Sequence, residues 1–478
     1  MDQKRAIVWF RQDLRVHDNE ALTEALRHAD EVIPVYVFDE RVFGGKTRWF
    51  GFPKTGRYRA RFILESVADL RRSLQQLGSD LVVRFGKPEE VLFDLARSCR
   101  SSWVFCNRER TQEEVEVQDE LEHHLWTIGQ ELRFSRGKML YYTADLPFPV
   151  TQTPDIFSQF RKEVERVIPV REPLPVPKAL PPLPLGLEAG ELPGLEDLGH
   201  EAFESHPKAA VDFEGGEMAG LRRLHYYLWE CDLAATYKET RNDLLGGDYS
   251  TKFSPWLGQG CLSPKMIYHE LKKYEQVRGA NKSTYWIFFE LLWRDFFRLM
   301  GKKHGNKIFL KGGTKDEPNP ELTNDLLLFE RWKEGRTGVP FIDANMRELN
   351  LTGFMSNRGR QNVASFLIND LRVNWQMGAE YFESLLIDYD PCSNWGNWNY
   401  LAGVGSDPRD DRYFNILTQA KKYDPQGEYV KFWLPELAEL PPAKVHCPDT
   451  LTGAEQEEIH FHIGDDYPHA LVSTSKWA

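Results

Sequence analysis

The residues best suited to chemistry lie between Thr352 and Tyr400. The stretch opens with TGFMSNRGRQ and closes with LLIDYDPCSNWGNWNY. It sets Asn357, Arg358, Arg360 and Gln361 in one short run and Asp388, Asp390 and Asn394 in another. Trp375 lies between the runs, and Trp395, Trp398 and Tyr400 follow Asn394 within six residues. Polar groups buried beside rings of that size need partners or carry a desolvation cost. A large, flat, heteroatom-rich cofactor would supply them. The same residues also suit a tryptophan-rich core in which the aspartates act as helix caps and turns. A smaller group, Ser250-Thr251-Lys252-Phe253-Ser254, offers hydroxyls, backbone N–H groups and one cation in five positions. That is phosphate-binding chemistry, and equally the composition of a capping turn.

The chain must be large enough to position such a set, and 478 residues allow two or three domains with their own cores. No apolar run approaches the roughly 18 residues of a membrane span. The first apolar run, Ala6 to Phe10, already reads as a strand, which leaves no room for a signal or transit peptide. Six scattered cysteines without a Cys-x-x-Cys or a His–Cys cluster indicate reduced thiols and no metal site. A cytoplasmic location, if the source is prokaryotic, is the expectation. The net charge of −12 excludes a generally basic nucleic-acid binder. Residues 301–315 nevertheless hold five lysines and no acid, a local surface that could meet phosphates or simply be a solvated loop.

The elements follow from periodicity. AIVWF, VIPVYVF, LVVRF and WVFC read as strands. Ile63, Val67, Leu70, Leu74 and Leu77 form one apolar helical stripe. This alternation predicts a parallel, Rossmann-like α/β domain over residues 1–135. It lacks the glycine fingerprints of dinucleotide and nucleoside triphosphate sites. Seven prolines between Pro169 and Pro184 mark an extended connector, placed at 136–216. From 217 to 437 the period is helical almost throughout, giving an all-α domain, and 438–478 reads as a mixed tail.

The order of the motifs is more specific than any one of them. WFRQDLRVHDNEAL, TKFSPWLGQGCLSP, FFELLWRDFFR, TGFMSNRGRQ, DYDPCSNWGNW, AGVGSDPRDDRYFN and YDPQGEYVKFWLPEL appear in sequence from Ile7 to about Leu437. The chain resembles the photolyase and cryptochrome family, most closely its DASH cryptochromes. The resemblance implies that the helical domain binds FAD. Tyr237 and residues 250–254 would hold its phosphates, with Asn357, Arg360, Asp388 and Asp390 as further contacts and Asn394 facing flavin N5. Trp398 and Trp375 match the inner members of a tryptophan chain that passes electrons to excited flavin. Its outer member falls on Leu322, so the usual route is interrupted, with Trp286, Trp332 or a tyrosine as substitutes. In this family the N-terminal domain can carry an antenna pigment, often a folate (methenyltetrahydrofolate), and Glu109 matches an acid that contacts it.

The resemblance also assigns a substrate side to Arg241, Glu290, Trp293, Arg294, Asn357, Arg358, Gln361 and Tyr400. Glu290 and Asn357 would hydrogen-bond damaged bases, and Trp293 would stack on one. Neither Asn357 nor Gln361 is the histidine of (6-4) photolyases, so the implied lesion is a cyclobutane pyrimidine dimer. Gln361 and Tyr400 replace a methionine and a tryptophan of classical dimer photolyases. That weaker wall would recover less of the cost of flipping a lesion from a duplex. The expected partner is single-stranded DNA containing dimers. The rival expectation is a blue-light receptor acting through an unknown signalling protein.

Overall fold

The computed structural model describes residues 4–406 and 413–477. Positions 407–412, within the AGVGSDPRDDRYFN motif, lie outside the described residues.

Five parallel strands, β1 (Arg5–Phe10), β2 (Glu31–Asp39), β3 (Val82–Gly86), β4 (Trp103–Asn107) and β5 (Glu131–Ser135), form one sheet in the order β3-β2-β1-β4-β5. The strand order reverses at β1, as in a doubly wound fold. Strand alternation divides the apolar side chains between two layers. Ile7, Trp9, Ile33 and Val35 pack with Leu92 and Leu95 of α3 (Pro88–Cys99) and with Leu121 and Leu125 of α4 (Gln112–Thr127). Ala6, Val8 and Phe10 face Leu22 of α1 (Glu20–His28) and the stripe Ile63, Val67, Leu70 and Leu74 of α2 (Arg57–Gln76). Both faces are buried, so the strands read as continuous apolar runs. The fifth strand escapes that signal. Its ELRFS sequence is half charged, and Arg133 pairs with Glu131 at 3.0 Å on the open edge.

The connector wraps this domain. It contains one α-helix, Phe157–Glu165, and two single 3-10 turns, Val150–Gln152 and Glu196–Leu198, in an otherwise irregular and extended chain. Its backbone meets the sheet domain at Asp18 N–H to Leu174 O (2.9 Å), Leu180 N–H to Leu77 O (2.7 Å) and Val83 N–H to Ala189 O (2.7 Å). Ala189 thus covers the outer strand β3. Gly190 makes this approach possible: its φ is +77°, and a Cβ there would sit 2.6 Å from the Val83 carbonyl oxygen.

The second domain is helical. Its long helix α5 (Lys282–His304) starts from a capping box of Asn281 and Thr284. Leu292 and Phe296 of α5 share a continuous core with Val8 and Phe10. Around α5 lie α6 (Asn357–Ser365), α7 (Trp375–Leu385) and α8 (Pro391–Leu401). The terminal segment from 438 is part of this domain. Val445, Phe461, Tyr467 and Trp477 join the core of α6 and α7, and the Tyr467 hydroxyl donates to buried Asp343 at 2.5 Å. No helix among the described residues is long and apolar enough to cross a membrane.

Candidate flavin and nucleic-acid site

Helix α8 is fixed at its start by Asp390. One carboxylate oxygen accepts from Ser393 N–H at 2.8 Å and the other from Arg298 of α5 at 3.1 Å. Arg298 also reaches Glu109 after β4 at 3.1 Å, and Glu109 accepts from Lys138 of the connector at 2.5 Å. All four side chains are at most 5% exposed. A buried charge without an opposite neighbour is costly, and this alternation supplies one at each position. Burial would raise the Glu109 carboxyl, but Lys138 and Arg298 bring it down to about 2. Burial lowers Lys138 to about 8 against the pull of Glu109. Burial likewise opposes the Asp390 charge, and Arg298 with Arg294 holds that carboxyl below its usual range. The four groups tie both domains and the connector together.

The cavity beside α8 takes in Asn357, Arg360, Gln361, Asp388, Asp390, Asn394 and Trp398, and opens to solvent. Arg360 donates to Met355 O at 2.9 Å and to Asp388 Oδ2 at 2.8 Å. Asp388 Oδ1 is buried and has no hydrogen-bond partner. Asn394 donates its amide N–H to Ala379 O at 3.0 Å, which leaves Oδ1 as its group for a ligand. Across the domain Lys252 sits at φ +57°, a left-handed conformation that costs a non-glycine residue about 1 kcal/mol. Its ammonium is buried without a hydrogen-bond partner, 3.3 Å from the Tyr249 ring centroid. Burial lowers it to about 7. A strained, desolvated cation and an orphaned carboxylate oxygen are the groups that a dinucleotide with an anionic pyrophosphate would satisfy. The residues fit FAD. Ser250 and Thr251 are half-buried beside Lys252, Phe253 is buried against Tyr227, Tyr237 is buried, and Ser254 points to solvent.

Trp398 and Trp375 are both buried, Trp375 at the start of α7 and Trp398 packed against α7 at Gly378. The six-membered ring of Trp398 lies where a Cβ on Gly378 would be, 2.2 Å from its tip, one turn along from Trp375. The Trp375 N–H donates to Lys311 O at 3.1 Å. Leu322 is buried beside this end of α7, with Thr323 bridged to Val373. Trp332 is fully buried 6.4 Å from Trp398, whereas Trp286 packs on Phe289 and under Arg241.

On the substrate side, Arg241 and Glu290 form an ion pair, and Trp293 meets Tyr400 edge-on at 5.8 Å. Burial raises the Glu290 carboxyl and Arg241 counteracts it. Arg358 donates to Gln361 and to Asn242 at 2.8 and 2.9 Å. Asn357 is exposed at the start of α6.

Several expectations are redrawn by this geometry. Arg294 spends its guanidinium on Lys138 O and Leu257 O, at 2.7 and 3.1 Å, and so braces α5 against the connector. One face of Trp293 is already stacked on Phe157 of the connector, with centroids 3.7 Å apart. Three of the five lysines in 301–315 are engaged: Lys303 by Asp155, Lys307 by Asp316 and Lys311 by Leu322 O. Lys302 instead adjoins Arg108, Arg110 and Arg136. Burial and neighbouring Arg298 bring Arg110 down to about 10. Lys138 and Phe157 carried no motif of their own, and Arg298, the last residue of FFELLWRDFFR, was given no role there. Only the buried network and stacked ring reveal them.

The family described as the FAD binding domain of DNA photolyase matches residues 286–478, and that described as DNA photolyase matches residues 6–179. Cryptochrome DASH of Gloeobacter violaceus is 52% identical over 472 residues, covering 99% of this chain and 94% of its own. Cryptochrome DASH of Xenopus laevis is 49% identical over 474 residues, covering 99% and 90%. The crystal structure of a Synechocystis cryptochrome matches with a TM-score of 0.95 at 47% identity over 100% of this chain and 98% of that one. A bacterial class III photolyase from Agrobacterium tumefaciens matches at 0.84 and 28% identity, over 100% and 96%. The buried anchors of an FAD site, the two-domain fold and these matches agree: the chain belongs to the photolyase and cryptochrome family, among the DASH cryptochromes.

Proposed function

We propose that this chain is a light-driven lyase that splits cyclobutane pyrimidine dimers, preferentially in single-stranded DNA. One observation carries the reading: Asn357 and Gln361 line the same cavity as Asp388, Asn394 and Trp398. A base held by the first pair would lie next to a ring held by the others. FAD, held by Lys252, Asp388 and Asn394, would supply the redox-neutral, light-driven electron chemistry when bound in its reduced form. The protein's part is positioning. Asn394, its amide N–H held by Ala379, offers an uncharged acceptor to the ring edge. Glu290, neutralised by Arg241, offers hydrogen bonds to the bases without a free charge. Trp293 and Tyr400 form the aromatic wall.

The single-strand preference follows from that wall. Gln361 and Tyr400 are polar, and Gln361 is already the acceptor for Arg358. A lesion flipped from a duplex would recover less of the few kcal/mol spent on unstacking. Arg241, paired with Glu290, and Arg358, which holds Gln361, would suit the phosphates of a single strand. The cationic group of Arg108, Arg110, Arg136 and Lys302 beside Glu109 suits the carboxylates of a folate antenna.

The test is dimer repair under blue light in matched single-stranded and duplex oligonucleotides, with the flavin reduced beforehand. Repair of the single strand alone is expected. Equal repair of both removes the argument from Gln361 and Tyr400. Repair of neither overturns the enzyme reading and favours a receptor.

A further inference from the structure

We propose that electrons enter the flavin site through a relay ending at Trp49 of the N-terminal domain, by way of Trp395, in place of the outer position filled by Leu322. The inference rests on the reading of Trp398 and Trp375 as the inner relay. Leu322 is buried and aliphatic, and its side chain cannot be oxidised in such a relay. Trp375, however, meets Trp395 with ring centroids 5.7 Å apart, and Trp395 meets Trp49 at the same separation. Trp395 also lies one helical turn from Trp398 on α8. Trp375, Trp395 and Trp398 are at most 2% exposed, whereas Trp49 is 39% exposed. The series runs from the cavity to solvent without a gap in indole contact after Trp375.

The loop carrying Trp49 is not loosely placed. Glu380 of α7, 1% exposed, accepts from the backbone N–H of Trp49 and of Phe50, both at 2.9 Å. Phe52 packs on Tyr381 at 5.6 Å. One helix therefore holds Trp375 at its start and the Trp49 loop along its side.

Proton chemistry gives the path a direction. The inner indole N–H groups of Trp375 and Trp395 donate to Lys311 O and to the Tyr389 hydroxyl, at 3.1 and 3.3 Å. Neither acceptor is a base at neutral pH, so an electron vacancy stays mobile inside. The Trp49 indole N–H has no hydrogen-bond partner among the described residues, and water can take its proton. The Arg48 guanidinium 5.6 Å from the ring also disfavours a positive charge remaining there. In sequence, Trp398 gives one electron to photoexcited, oxidised FAD. Trp395 refills Trp398, directly or through Trp375, and Trp49 refills Trp395. Trp49 then loses its N–H proton to water and becomes a neutral radical. A soluble thiol returns one hydrogen atom to it, and two resulting thiyl radicals combine to a disulfide.

The competing branch passes from Trp398 to Trp332 and then to Tyr381, with centroids 6.4 and 6.2 Å apart. A tyrosine is oxidised with loss of its proton. The Tyr381 hydroxyl donates to the Asn350 amide oxygen at 2.6 Å, which does not accept that proton, and burial raises the phenol further.

The experiment compares the FAD-loaded protein with Trp49→Phe, Trp395→Phe, Tyr381→Phe and Trp398→Phe, using dithiothreitol as reductant. Bound FAD is measured first, then transient absorption of the tryptophan radical, then the site of indole oxidation by mass spectrometry after illumination in air. Trp49→Phe and Trp395→Phe are expected to retain FAD and fast oxidation of Trp398, to lose the long-lived neutral radical, and to photoreduce at least tenfold less. Oxidised indole should map to Trp49 in the unaltered protein. Wild-type radical lifetimes in both variants, or loss of the radical in Tyr381→Phe alone, overturn the proposal. Unchanged photoreduction in Trp398→Phe would instead overturn the inner relay on which it stands.

Discussion

Replacing Glu109 with glutamine removes one negative charge and leaves two buried cations, Lys138 and Arg298, facing a neutral amide. The size of the effect follows from the carboxyl itself. A shift from an ordinary 4.5 to about 2 corresponds to about 3 kcal/mol of stability at neutral pH. That contribution is complete above about pH 4.5 and is lost as the pH falls through about 2. The variant should therefore unfold about 3 kcal/mol more easily at pH 6. The second consequence is a pH dependence that sets in at lower pH than in the parent. In the parent, burial lowers Lys138 to about 8 against the pull of Glu109, so between pH 6 and about 7 it is largely protonated whether the chain is folded or not, and by pH 8 the folded chain has given up about half of that proton. In the variant burial is less opposed, and the folded-state value drops below 8 while the unfolded value stays near about 10.4. Over that interval the unfolded chain binds more protons, and stability rises with pH by up to about 1.4 kcal/mol per unit. Lys252 titrates in both proteins and cancels in the difference. Urea unfolding of the apo proteins at pH 6, 7 and 8, followed by tryptophan fluorescence, measures the gap. A gap that narrows toward pH 8 is expected. A gap that is constant with pH, or smaller than about 1 kcal/mol at pH 6, would refute the electrostatic account of this network.

Lys252→Met should raise the melting temperature of the apo protein, because it removes a buried, unpartnered ammonium, while weakening FAD binding at least tenfold in a flavin fluorescence titration. Trp398→Phe should leave FAD stoichiometry unchanged and abolish photoreduction of oxidised FAD, measured by the loss of visible flavin absorbance under blue light. Tyr400→Trp should raise duplex repair relative to single-strand repair several-fold, read as a ratio of initial rates with pre-reduced flavin.

Four of the strands were legible because burial on both faces writes long apolar runs into a parallel sheet, and the helical second domain because its period changes. β5 was not, since Glu131 and Arg133 lie on an open edge where charge is tolerated. The terminal segment looked like a tail because Val445, Phe461, Tyr467 and Trp477 are spaced too widely to show a period, yet each fills one place in the core of α6 and α7. Within the site, the polar residues around α6 and the start of α8 were readable from a local cluster, since a cap, a cavity wall and a ring contact can all come from one short run. The bracing role of Arg294 was not legible, because an arginine beside aromatic residues on a helix looks the same whether it faces phosphate or two backbone carbonyls. Residues whose role depends on a partner more than a hundred positions away, such as Glu109 with Arg298 or Trp49 with Glu380, leave no local trace.

The Ala189–Gly190 crossing over β3 has a consequence for the fate of the chain in a cell. An outer strand with free N–H and C=O groups is a template on which another copy can pair. Here one glycine lets the connector cap that template. A protease cut in the exposed proline-rich segment, or Gly190→Val, would leave the remaining sheet folded but adhesive, so damage to the connector would be expected to show first as aggregation under illumination-independent storage, well before flavin is lost.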